Sequence, residues 1–96
     1  MLLEWDEKKR LNNLEKHCID FRDADLFFES NPICFQDARK DYGEERFVAF
    51  GTIEERLIIT AYTYRERAIR IISMRKANAR ERRLYEHIIQ DRLEKG

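Results

Sequence analysis

The 96-residue chain predicts an α+β fold in which helices precede and follow an antiparallel sheet. Three observations carry this. The segment 56–85, RLIITAYTYRERAIRIISMRKANARERRLY, sets two runs rich in Ile, Thr and Tyr around the polar RERA and follows them with an Arg-dense run, the pattern of strand, tight turn, strand, helix. Upstream, RFVAFGTI over residues 46–53 reads as a further strand with a short link to the next, so the strands form an antiparallel meander. Leu11, Leu14 and Cys18 recur at spacings of three and four, which predicts a modest amphipathic helix from Glu7 to about His17.

Taken in order, Leu2 to Trp5 is a brief strand and Asp6 the N-cap of the first helix. Lys16 and His17 close that helix, where they suit the negative pole of its dipole or serve a site. Asp20 followed by Asp23 resembles the start of a second helix, about Phe21 to Glu29, with Ala24, Phe27 and Phe28 buried. Ser30, Asn31 and Pro32 stop it, because the residue before a proline is pushed out of helical geometry. Ile33 to Phe35 is a short strand, residues 36–45 a loop around Gly43, and Glu54 and Glu55 a turn. The last helix runs from about Asn78 to Lys95. Asn78 and Glu81 stand at capping-box spacing, and Leu84, Ile88 and Leu93 with Tyr85 and Ile89 form its apolar stripe. No repeat or linker is visible, so residues 1–96 are expected to form a single domain.

The hairpin orders its own side chains. With the turn centred on Glu66 and Arg67, pairing sets Thr63 opposite Arg70, Ala61 opposite Ile72, Ile59 opposite Met74 and Ile58 opposite Arg75. The period of two then places Leu57, Ile59, Ala61, Ile72 and Met74 on a core face. Ile58, Thr60, Tyr62, Tyr64, Ile71 and Ser73 fall on the other, together with Arg56 and Arg75 at one end, so that two guanidiniums reach one ligand.

Apolar residues make up 43% of the chain and charged residues 40%, a small core inside a heavily ionised surface. Formal net charge is zero, but the charges are unevenly spread. Residues 64–83 hold eight Lys or Arg against two Glu, whereas residues 1–63 hold nine basic and fourteen acidic side chains. A positive patch of that kind suits an anion. No apolar run approaches the length of a membrane span, and the N-terminus turns charged too early for a secretory signal, so a cytoplasmic protein is expected. Cys18 and Cys34 lack metal-ligand spacing and are expected as buried small hydrophobes. His17 and His87 are too isolated to suggest a metal site, and neither a metal nor another cofactor is expected.

One chemistry that needs little more than these residues is cleavage of an RNA phosphodiester by its own 2′-hydroxyl. The nucleophile belongs to the substrate, so the protein has to orient it, stabilise the charged phosphorane and move protons. Arg56 and Arg75 are the first choices for the phosphorane, since a guanidinium bonds two phosphate oxygens at once and keeps its charge. Lys76 and Arg82 are further phosphate contacts. Tyr85, Glu81 and His17 are the candidates for proton transfer, and of these residue types only histidine ordinarily titrates near neutrality. Tyr62 and Tyr64 are placed to stack on unpaired bases, although strand aromatics also serve packing. The Arg-rich run reads equally as a solvated helix face with Glu81 paired to its neighbours.

Several pieces of the chain, in this order and spacing, resemble the BrnT toxins of type II toxin–antitoxin systems. They are EWDEKKRLNNLEKH at 4–17, the helix and stop over 21–32, YGEERF at 42–47, AYTYR at 61–65 and RIISMRKANARERRLY at 70–85. Cys18 stands where a Gly is usual, Asp20 where Ser is common and Met74 where Ala is common. The resemblance implies a fold like that of the RelE ribonuclease toxins: two N-terminal helices packed on a curved antiparallel sheet of about four strands, with a C-terminal helix. It implies an endoribonuclease that arrests translation, and the lack of any cluster of carboxylates and imidazoles favours a reaction without a metal. It also implies a BrnA-like antitoxin as partner, expected as a heterotetramer of two toxins and two antitoxins, with DNA contacted only through the antitoxin. Arg56, Arg75 and Tyr85 occupy the kinds of positions that such toxins use, and Arg65 becomes a separate contact for RNA or antitoxin. Two other readings stay open: a noncatalytic basic module that binds nucleic acid or an acidic protein, which would bind RNA without product, and a toxin of the same fold that poisons gyrase, which would leave RNA untouched.

Overall fold

The computed structural model describes residues 1–38 and 43–95. Its elements are β1 (Leu2–Trp5), α1 (Glu7–His17), a 3₁₀ turn (Phe21–Asp23), α2 (Ala24–Glu29), β2 (Ile33–Asp37), β3 (Arg46–Ile53), β4 (Arg56–Arg65), β5 (Ala68–Lys76) and α3 (Ala79–Lys95). The five strands lie in the order β1-β5-β4-β3-β2. The α+β class and most boundaries are as expected, but the sheet is mixed and five-stranded. Leu2–Trp5 adds a strand parallel to β5, while the remaining neighbours pair antiparallel. The second helix is also divided, with a 3₁₀ turn leading into six residues of α-helix. Residues 39–42 of the expected loop, including Tyr42, the first residue of the YGEERF piece, lie outside the described residues, while Gln36 and Asp37, expected in that loop, extend β2.

α1 begins as expected: the Asp6 carboxylate accepts from the Lys8 and Lys9 amides at 2.9 and 3.2 Å. It ends at Cys18, whose φ of 58° is left-handed. That conformation favours glycine. The buried side of α1 differs from the apolar stripe read in the sequence. Leu11 and Leu14 are exposed, and Arg10 and Asn13 point inward. The cause is a missing strand. β1 ends at Trp5 opposite Ile71, so the edge of β5 beyond Ile71 would keep unpaired backbone groups. Asn13 supplies them: its Nδ2 donates to the Met74 carbonyl at 2.8 Å, and the Met74 amide donates to its Oδ1 at 3.2 Å. The same Nδ2 donates to the Ile19 carbonyl at 3.0 Å.

Arg10 forks between Glu7 and Asp20. Burial pushes the Asp20 carboxyl up, but the Arg22 amide and the Arg10 guanidinium together hold it below its ordinary value. The helices cover one face of the sheet, where Ile19, Phe21 and Phe27 pack against Ile53, Ile58, Tyr62 and Met74. Each such side chain contributes about 1.5–3 kcal/mol when removed from water. α2 seats directly on β3 because Gly51 has no side chain; a Cβ there would lie 2.8 Å from the Phe27 ring. The opposite face carries a smaller cluster of Phe50, Leu57 and Ile59, against which Tyr85 packs. Cys18 and Cys34 are both exposed, contrary to the expected burial.

The β4–β5 hairpin turns at Glu66 and Arg67 and pairs Thr63 with Arg70, as expected. Beyond that point the expected register fails. β5 contains one extra residue, Ile72, between the pairs Tyr62–Ile71 and Ala61–Ser73. A bulge of this kind turns every later side chain to the other face. Ile59 therefore pairs with Arg75, and Thr60 with Met74. The core assignment is reversed as well: Ile58, Thr60 and Tyr62 face the helices, and Leu57, Ile59 and Ala61 face away.

Candidate active site

The face of the sheet opposite α1 and α2 holds a cavity of about 360 Å³, bounded by the start of α3 at one side and the edge strand β2 at the other. Its floor is a row of residues paired across four strands, Phe35, Val48, Ala61 and Ser73. The adjoining row runs Phe50, Ile59, Arg75. Ala61 and Ser73 are small, so the sheet is hollow there, and Phe35 and Phe50 meet edge to face at 5.8 Å as an aromatic wall. On the far side of β5 a second cavity, about 210 Å³, lies between the strand and α1 and is lined by Lys9, Lys16, His17 and the bulged Ile72. Ser73 lines both cavities. The two basic residues and the imidazole of α1 thus border the same side chain as Arg75.

Arg75 is held by Glu81 through two hydrogen bonds, each 2.7 Å. Glu81 also completes the expected capping box: the Asn78 amide donates to its Oε1 at 3.0 Å, and its own amide donates to Asn78 Oδ1 at 2.8 Å. The Arg75 guanidinium, opposed in part by burial and helped by the Asn78 amide, holds the Glu81 carboxyl below its usual range. One carboxylate therefore both starts α3 and restrains the arginine. Tyr85, one turn further on, lies parallel to Phe50 with ring centres 6.5 Å apart, a packing contact that fixes α3 over the open face.

The other residues singled out in the sequence divide. Arg56 pairs with Ile53, a member of the helix-side core, so it stands on the opposite face from Arg75. The expected grip of these two guanidiniums on one phosphate is corrected, and the Ile72 bulge is the reason. Lys76 pairs with Ile58 and also alternates away from the open face. Tyr62 is 2% exposed and ringed by Phe28, Phe47 and Tyr64; burial holds its phenol above the ordinary range, and it has no surface on which a base could stack. Tyr64 is 57% exposed but lies on the helix side, beside Phe47. Arg65 and Arg82 are exposed, at the hairpin tip and on α3. Sequence reasoning missed Phe35 and Asp37 as cavity residues, and placed Ser73 on the face of Arg75 without giving it a role. The signal for them was weak: small residues at 61 and 73 inside strands that are otherwise bulky. Among the described residues no three His, Cys, Asp or Glu side chains gather as metal ligands.

A family model described as "Ribonuclease toxin, BrnT, of type II toxin-antitoxin system" matches residues 5–81. The chain belongs to the BrnT family. No curated protein matches it. Membership makes it a ribonuclease toxin, with RNA as substrate and an antitoxin as partner. The span that matches BrnT contains every residue lining the two cavities and ends on Glu81, the carboxylate that holds Arg75. Tyr85 and most of α3 lie past it. Among the described residues, no helix of this BrnT chain is long and apolar enough to cross a membrane.

Proposed function

We propose that this BrnT protein cleaves single-stranded RNA by attack of the 2′-hydroxyl on its own phosphate, without a metal, at the trough where the two cavities meet. The observation that carries the reading is the position of Ser73, which borders both the Arg75 cavity and the cavity of Lys9, Lys16 and His17. A phosphate above Ser73 would have a guanidinium on one side and two ammonium groups and an imidazole on the other. In the reaction the 2′-oxygen bonds to phosphorus while His17 takes its proton. The bond from phosphorus to the 5′-oxygen breaks, and that oxygen takes a proton from an ammonium of the α1 cavity. Arg75 stabilises the charge on the non-bridging oxygens as it develops. The products are a 2′,3′-cyclic phosphate and a free 5′-hydroxyl.

In this reading cleavage of messenger RNA arrests translation, a BrnA-like antitoxin neutralises the toxin in a complex of two chains of each, and DNA is contacted only by the antitoxin. Arg82 and Arg65 are outlying contacts for RNA or antitoxin. The test is incubation of the purified protein with single-stranded RNA in EDTA, with the new 3′ ends mapped. Cyclic phosphate ends that disappear with Arg75→Ala and with His17→Ala support the reading. RNA that stays intact with the wild-type protein, or cleavage that needs a divalent ion, refutes it.

A further inference from the structure

The larger cavity extends well past Arg75, and that extension has a chemistry of its own. From Arg75 on β5 to Phe50, which stands in the same row on β3, is two strand spacings, roughly 10 Å, about the reach from a phosphate across its ribose to the base. There the wall is aromatic. Phe35 stands at the sheet edge, 42% exposed, with Phe50 behind it and Val48 and Ala61 beneath. A half-exposed ring beside a depression of small side chains offers one face for stacking, and a stacked base is held whatever its identity. At about 360 Å³ the space falls in the range of small-ligand sites.

Asp37 supplies discrimination. It lies two residues beyond Phe35 on β2, on the same face, and lines the same cavity. An ionised carboxylate only accepts hydrogen bonds, at about four lone-pair sites, and takes two adjacent donors side by side. Guanine presents such a pair, N1–H beside the N2 amino group. Adenine and cytosine set a ring acceptor next to their amino group, and uracil flanks its single N–H with two carbonyls.

We propose that the cavity is a base-binding subsite in which an unpaired guanine stacks on Phe35 and is read along its N1 and N2 edge by Asp37, its phosphate lying at Arg75. The assignment rests on the ribonuclease reading and names the nucleotide that the same trough accepts.

The experiment titrates the full chain with guanosine, adenosine, cytidine and uridine 3′-monophosphates, followed by amide shifts in two-dimensional NMR, and repeats the titration with Phe35→Ala and Asp37→Asn. Guanosine 3′-monophosphate is expected to bind at least tenfold more tightly than the other three. Phe35→Ala weakens all four by about 5- to 100-fold, the range for one lost base–aromatic stack. Asp37→Asn brings guanosine and adenosine monophosphates within about threefold of each other while its amide spectrum stays folded. Equal affinity for the four nucleotides in the wild type, no binding at millimolar concentration, or an unchanged titration with Phe35→Ala overturns the subsite. So does a Phe35→Ala variant that loses only its antitoxin, which would give this wall to the protein partner. Nucleotide binding of the expected pattern in a protein that leaves RNA intact keeps the subsite and removes the nuclease mechanism. Cleavage that continues unselectively, with Phe35→Ala as active as wild type, does the reverse.

Discussion

Arg75 and Glu81 face each other across the junction of β5 and α3 through two parallel hydrogen bonds of 2.7 Å. Since Glu81 is also the second half of the α3 capping box, a phosphate that takes Arg75 competes with the carboxylate that begins the helix. Glu81→Gln keeps the shape and removes the charge. It is expected to lower KM for RNA several-fold and to cost about 1 kcal/mol of stability through the weakened cap. Kinetics and a thermal melt on the same variant check both signs, and an unchanged KM would show that the pair does not restrain Arg75.

The same carboxylate makes α3 sensitive to acid. Its pKa is lower in the folded chain than in the unfolded one, with Arg75 the largest cause. Stability from this pair is therefore fully present above the ordinary glutamate value, about pH 4.3, and is lost as pH falls through the depressed value. Melting temperature should drop more steeply below about pH 4 in the wild type than in Glu81→Gln, as followed by circular dichroism. Parallel curves for the two proteins would contradict this.

Arg56 and Arg75 should part company in activity assays. Arg75→Ala is expected to reduce cleavage by about 100-fold or more, the usual effect of removing one donor to a developing oxyanion. Arg56→Ala, on the helix side of the sheet, should stay within about threefold of wild type, since it offers the phosphorane no donor. Equal losses in the two variants would restore the pairing that the bulge excludes.

Asn13 makes three hydrogen bonds from a buried position, two of them to Met74. Asn13→Ala leaves an amide and two carbonyls without partners, and each lost partner costs about 1–3 kcal/mol. A chain of this size has roughly 5–15 kcal/mol in all, so the variant should be largely unfolded at 37 °C. Chemical denaturation measures the loss, and a change under about 1 kcal/mol would mean that water replaces the amide.

Thr60 is fully buried between the sheet and the helices, and its hydroxyl has no hydrogen-bond partner among the described residues. Thr60→Val exchanges that hydroxyl for a methyl of similar size. The expected gain is about 1 kcal/mol, the low end of the cost of an unsatisfied buried polar group. A loss of stability on denaturant unfolding would show that the hydroxyl is satisfied in solution.

How far the sequence could be read is clearest at the two ends of the hairpin. Near the turn, local rules sufficed: two polar residues between β-rich runs set Thr63 against Arg70. Two residues further along β5 they did not. The Ile72 bulge has no local mark, because Ile, Ser and Met suit either face of a strand, and the bulge alone decides that Ser73 and Arg75 together leave the face of Arg56. The first helix repeats the lesson. Its N-cap and end followed from Asp6 and the Lys16–His17 pair, yet its buried side was misread because Asn13 answers a gap in a strand that lies 61 residues away.

The sequence by itself determined the N-caps of the first and last helices, the turns, most of the strand boundaries, the basic run and the kinship to BrnT, all of which depend on residues near one another in the chain or on their order along it. Only the tertiary structure decided which face of each strand meets the helices, which arginine lines the larger cavity, and that Ser73 borders both that cavity and the one against α1. Those outcomes depend on backbone hydrogen bonds between distant segments, and a single residue added to one side of a ladder reverses every side chain that follows.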